Sequence, residues 1–233
     1  FSTNSFYYAL IISILAKLYN IPYAPILHGG NLPERLNNNP ALSIIIFGNA
    51  LVNISPSLYL RYHFIEKGYS VKYIPNFIEL ENYPFENRGK CRPKLLWVRS
   101  FHKVYNPEMA IHVLFRLSKK FPDSELCMVG PDKDGSMQSC RKMAESLGLI
   151  NQVTFTGLLS KKEWINLSSG YDIFINTTNF DNHPVSVIEA MALGLPIVST
   201  NVGGLKYLHE DRVDALLVEK NDVKGMADNI NQI

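Results

Sequence analysis

The sequence predicts an α/β protein built on parallel sheets. Three observations carry that prediction. Short apolar runs of strand length recur through the 233 residues. Most are followed by a segment of helical length, opened by a capping residue or proline and closed by glycine. Through the second half the alternation is continuous, and strand–helix alternation at this spacing implies parallel strands with right-handed crossovers.

The elements follow in order. Phe6–Tyr19 has helical-length apolar content and reads as a buried helix whose packing partners lie outside the given chain. Lys17 interrupts it, and its apolar run is too short to span a bilayer. It also lacks the basic start and cleavage site of a signal peptide. Pro22–Leu27 reads as a strand running into His28-Gly29-Gly30. Asn31–Pro40 is polar and proline-bounded and reads as loop. Ala41–Phe47 is a short helix and Ala50–Ile54 a strand. Ser55-Pro56 opens the next helix with Ser55 as N-cap, and Gly68 closes it. Val71–Ile74 is a strand stopped by Pro75-Asn76.

Glu79–Pro93 has Pro84, Gly89 and Pro93 and no periodicity, so it reads as an interdomain linker. This divides the chain into residues 1–90 and 91–233. Strands follow at Lys94–Val98, Glu125–Val129, Val153–Phe155 and Tyr171–Thr177. Helices start at Asn106-Pro107, Ser136 and Ser160-Lys161-Lys162-Glu163, the last a capping box. About three strands precede the linker, fewer than a doubly wound domain usually has. The first domain is therefore expected to be incomplete, and the helix begun at Val223 to be cut short.

Composition narrows the function. Apolar residues make up 46% and charged residues 19%, as in ordinary globular domains. A net charge of +2 gives no case for nucleic acid. Cys91, Cys127 and Cys140 are odd in number and without metal-ligand spacing, and Cys127 lies in an apolar strand, so a reduced cytosolic core thiol is expected there.

The stretch with most chemistry is Asp172–Gly204, which reads strand, loop, helix, strand, loop. Pro184 suits the first helical position. The N–H groups of Val185 and Ser186 then sit at a helix N-terminus, which attracts phosphate. Asp181 precedes that junction, and Glu189 lies about one and a half turns beyond it. No His/Cys/Asp cluster has metal spacing, and no metal-ligating Asp-x-Asp triplet is expected.

Phe180–Gly204, with EAMALGLPIVSTNVGG, resembles the signature of family-4 retaining glycosyltransferases of the GT-B fold. SPSLYLRYHFIEKGYSVKYIPNFIE, LCMVGP and VTFTGLLSKKEW are similar to further segments of that family in the same order. The resemblance implies two Rossmann-like doubly wound domains, the second binding a nucleotide-sugar donor. It implies Arg99 and Lys103, in WVRSFHK, on the donor diphosphate together with Val185 and Ser186. Glu189 would take the ribose hydroxyls, and Asp181 the donor sugar or its anomeric carbon. His28 would sit near the donor sugar in the cleft between domains, with the Gly29, Gly30 and Asn31 loop toward the acceptor. Two departures stand out: aspartate replaces the first glutamate of the pair, and Leu205-Lys206-Tyr207 replaces a glutamate-bearing loop.

The implied activity is metal-independent transfer of a hexosyl group, without a cofactor, to a glycan or lipid-linked acceptor in cell-surface polysaccharide synthesis. Leaving phosphate as base in a front-face mechanism is the expected chemistry. The implied location is the cytoplasm, with peripheral association at the inner membrane face open. A sugar-nucleotide epimerase and a nucleotide-sugar-binding module without turnover are the alternatives.

Overall fold

A computed structural model describes residues 3–233. The chain forms two compact units. The first comprises Phe1–Phe77, Asp181–His183 and Gly203–Leu208, the second Ile78–Phe180, Pro184–Val202 and His209–Ile233. No helix among the described residues is long and apolar enough to cross a membrane.

The first unit holds α1 (Thr3–Leu18), α2 (Leu32–Asn38), α3 (Pro40–Ser43), β1 (Asn53–Ser55), α4 (Leu58–Glu66) and β2 (Val71–Tyr73). β1 and β2 pair in parallel, and the predicted strand Pro22–Leu27 contributes a single bridge, Ile26 to Ile54. Phe6, Leu27, Leu32, Leu36, Ile46, Phe47, Leu60 and Phe64 form its core.

Several expectations here are corrected. Asn31–Pro40 is largely helix, because Pro33 sits in the first turn of α2, where proline lacks no needed N–H. The segment after α3 widens into a π turn, Ile44–Gly48. The cap of α4 is Ser57, whose side chain accepts from Leu60 N, while Ser55 ends β1. Among the described side chains of α1, Phe6, Ser13 and Ala16 are buried in a single stripe and the rest are exposed or partly exposed, as expected of a helix whose further packing partners lie outside the given chain.

The second unit is built on six parallel strands in the order β5-β4-β3-β6-β7-β8. These are β3 (Lys94–Val98), β4 (Glu125–Val129), β5 (Val153–Gly157), β6 (Ile173–Asn176), β7 (Ile197–Thr200) and β8 (Leu216–Val218). The chain winds outward from β3 to β5, returns to β6 beside β3, and winds outward the other way. This is the doubly wound pattern, with its switch point between β3 and β6. The crossover helices are α5 (Pro107–Ser118), α6 (Ser136–Ser146), α7 (Lys161–Ser168) and α8 (Val185–Ala192), with α9 (Val223–Ile230) closing the unit. β3, β4 and β6 are apolar on both faces because helices cover both faces of such a sheet. The capping box forms: Glu163 N donates to Ser160 Oγ, and Ser160 N to Glu163 Oε2 at 2.7 Å. Cys127 and Cys140 are buried free thiols, and burial pushes Cys140 up to about 12.

Gly130 closes β4 with φ +146°, and a Cβ there would lie 1.8 Å from the Arg99 carbonyl oxygen. The bare glycine lets the two strand ends meet, with Arg99 N donating to Val129 O at 3.0 Å. Gly130→Ala must move this backbone, so a loss of about 3 kcal/mol is expected in urea titrations.

His209 is buried beside Asp214, Nδ1 to Oδ1 3.3 Å, with Nε2 buried and without a hydrogen-bond partner among the described residues. Burial lowers its pKa from 6.5, and Asp214 opposes that only in part. The unfolded chain therefore takes up this proton first, and stability falls as pH drops below about 6.5. His209→Gln should flatten the midpoint denaturant concentration between pH 7 and pH 5, where the wild type declines.

Candidate functional site

The switch point positions the second unit's candidate residues. β3 and β6 pair at only two registers, Leu95 with Ile173 and Leu96 with Phe174. Beyond them the strand ends are joined by side chains. Trp97 Nε1 donates to Thr177 Oγ1 at 3.0 Å, and that hydroxyl donates to the Tyr105 and Asn106 carbonyls at 3.0 and 2.9 Å. Asn179 continues the seam, its N donating to Val104 O and its Nδ2 to Lys103 O. The loop after β3, with Arg99 and Lys103, is thus tied to the loop that leads from β6 toward α8.

Arg99 is half-buried, with its guanidinium 4.5 Å above the Tyr105 ring. Burial holds it below the ordinary arginine value, and Tyr105 offsets this in part. Lys103 is exposed, and its backbone N donates to Asp134 at 2.9 Å.

α8 begins at Val185. Pro184 is its N-cap (φ −71°, ψ 112°) and not its first helical residue, as the sequence had suggested. The extended ψ keeps proline just outside the helix. Proline supplies no side-chain acceptor, so the first-turn N–H groups of Val185 and Ser186 have no cap.

Glu189, in the second turn, is only 4% exposed. Tyr83 Oη donates to its Oε1 at 2.8 Å, and Lys161 Nζ pairs with the same oxygen. Lys161 is raised by its bond to Glu189, and Tyr83 is raised by burial and then by the carboxylate. Neither Tyr83 nor Lys161 was among the residues the sequence reading placed in the site. The capping box marks Lys161 as the first residue of α7, but nothing local points to its partner.

Asp181 and His28 belong to the first unit. Asp181 O accepts from Gly204 N at 2.8 Å, and its Oδ1 accepts from Asn182 N. Asn182 is buried; its side chain bonds Ser57 Oγ, and Nδ2 donates to Leu27 O at 3.3 Å. The Asp181 loop therefore lies against the chain just before His28, which is exposed. Gly29 and Gly30 follow, and Asn31 holds the N-cap position of α2 without a side-chain cap bond.

The sequence does contain an Asp-x-Asp triplet, Asp132-Lys133-Asp134. Its carboxylates hold a turn: Asp132 accepts from Gly135 N, and Asp134 from Ser136 N and Lys103 N. No group of three or more potential ligands among the described residues could hold a metal ion.

The chain is similar to several known proteins. The D-inositol 3-phosphate glycosyltransferase of Mycolicibacterium smegmatis is 28% identical over 130 residues, covering 54% of this chain and 30% of that protein. The UDP-Gal:alpha-D-GlcNAc-diphosphoundecaprenol alpha-1,3-galactosyltransferase of Escherichia coli is 24% identical over 168 residues, covering 66% and 42%. The chain thus spans well under half the length of these curated relatives. Among solved structures, Anabaena HepE in complex with UDP and glucose superposes with a TM-score of 0.83 at 20% identity, over 96% of this chain and 65% of that one. Residues 81–233 match the model of the Glycosyl transferases group 1 family, and the chain belongs to that family.

Proposed function

We propose that the chain carries the donor-binding part of a retaining, metal-independent glycosyltransferase that uses a nucleoside-diphosphate sugar and no cofactor. The single observation that carries this is Glu189, a buried carboxylate in the second turn of α8, beside the switch point, where open α/β sheets bind nucleotides. The uncapped N–H groups of Val185 and Ser186 and the half-buried Arg99 suit a diphosphate, with Lys103 as a further point charge.

The chemistry follows from charge. As the C1–O bond to phosphate breaks, the leaving diphosphate gains negative charge, and fixed donors stabilise it most where water is scarce. In the front-face course the acceptor oxygen bonds to C1 on the side the phosphate leaves. The acceptor proton passes to a leaving phosphate oxygen. Glu189 takes the ribose hydroxyls. The Gly29–Asn31 turn serves the acceptor. A hexosyl donor and a lipid-linked acceptor are supported by the E. coli relative, whose name specifies a UDP-sugar and a lipid diphosphate; a glycan acceptor and a place in cell-surface polysaccharide synthesis are part of the same proposal. A cytoplasmic protein working at the inner membrane face fits such an acceptor.

A thermal-shift panel of UDP-, GDP- and ADP-linked sugars tests this. One base class should raise Tm by about 5–10 °C at a hundredfold excess over Kd. EDTA should leave the shift intact, and Glu189→Ala should abolish it. No shift with any donor, or a full shift in Glu189→Ala, overturns the assignment.

A further inference from the structure

We propose that Tyr83 and Lys161 are positioning residues that make Glu189 a selective reader of the ribose hydroxyls. The inference rests on the donor-site reading above and extends it to two residues with no assigned role.

A carboxylate buried to this degree needs partners to remain charged, and each oxygen can accept about two hydrogen bonds. Here both donors converge on Oε1: the Tyr83 hydroxyl and the Lys161 ammonium. Oε2 accepts from neither. One oxygen is filled by the protein and the other left as the acceptor, which fixes the carboxylate rotation and directs its remaining capacity to a ligand. A ribose diol supplies the hydroxyl donors such an oxygen takes.

Both partners are held independently of Glu189. Lys161 is the first residue of α7, whose opening turn is locked by the reciprocal Ser160–Glu163 bonds. Its side chain is 59% exposed, so the ammonium stays hydrated on one side while bonding the buried oxygen on the other. Tyr83 follows a one-turn 3₁₀ segment, Leu80–Asn82, and is 6% exposed, which leaves its ring little freedom. A flexible lysine and a rigid phenol on one oxygen restrain a glutamate that would otherwise sample several rotamers.

The test is calorimetric binding of UDP, GDP and ADP, each against its 2′,3′-dideoxy counterpart. The wild-type chain should prefer the ribonucleotide of its own base about tenfold or more, the value of a charge-assisted hydrogen bond. Tyr83→Phe and Lys161→Met should each bring that preference to within about threefold, while dideoxynucleotide affinity stays within about twofold; Lys161→Arg should restore most of it. A merely structural role would weaken ribo- and dideoxynucleotides alike, and that result overturns the proposal. So does a full ribose preference in both variants, in which case the donor site itself stands. If the wild type binds none of the three diphosphates, the donor reading fails and this inference fails with it. Tyr83→Phe removes a single oxygen, so one informative variant remains even if another folds poorly.

Discussion

The brief pairing of β3 with β6 is the constraint on which the rest of the second unit depends. β3 and β4 run together for five residues, Lys94 to Val98 against Glu125 to Val129. β3 and β6 share only Leu95 and Leu96 before parting. Parallel strands that wind outward in opposite directions leave their C-terminal loops on opposite sides, which opens a crevice at the centre. Trp97 bonded to Thr177 closes the base of that gap, so Arg99 and the loop toward α8 are fixed by core packing rather than by loop flexibility. Gly130 adds to this by letting β4 approach the Arg99 carbonyl.

Electrostatics then divides the labour. Arg99 is positive and desolvated, stacked on Tyr105. The α8 N-terminus offers fixed dipoles with no side-chain competitor. Glu189, less than two turns further on, is negative and neutralised locally by Lys161. Positive groups at the α8 N-terminus and an anchored carboxylate further along have the charge order of the proposed donor, a nucleoside diphosphate that is anionic at one end and rich in hydroxyl donors at the other.

Much of this was legible in the sequence because it is local. The Ser160–Glu163 box, the strand ends at Val98 and Val129, and the helix of Glu189 are written in residues within a few positions of one another. What was missed depends on distance or on fine backbone choice. Tyr83 meets Glu189 from 106 residues away. The strand forecast at Pro22–Leu27 needs a partner to become a ladder and finds one bridge. α2 was obscured by Pro33, which reads as a breaker but serves as a starter at the first turn. Pro184 and Ser55 were each placed one or two residues from their true roles, because φ near −70° does not distinguish a cap from a first turn and two serines compete for one cap. Asp181 looked like a neighbour of Glu189 in the chain, yet its Asn182 anchor to Leu27 ties it to the first unit. A long-range hydrogen bond from a side-chain amide leaves no periodic trace.

The most direct measurement is a crystal structure of the chain grown with the nucleoside diphosphate that stabilises it. The β-phosphate should lie within hydrogen-bond distance of the Val185 and Ser186 N–H groups, and a ribose hydroxyl on Glu189 Oε2 with Tyr83 and Lys161 still on Oε1. A nucleotide bound away from the α8 N-terminus, or a ribose that leaves Glu189 untouched, would contradict this.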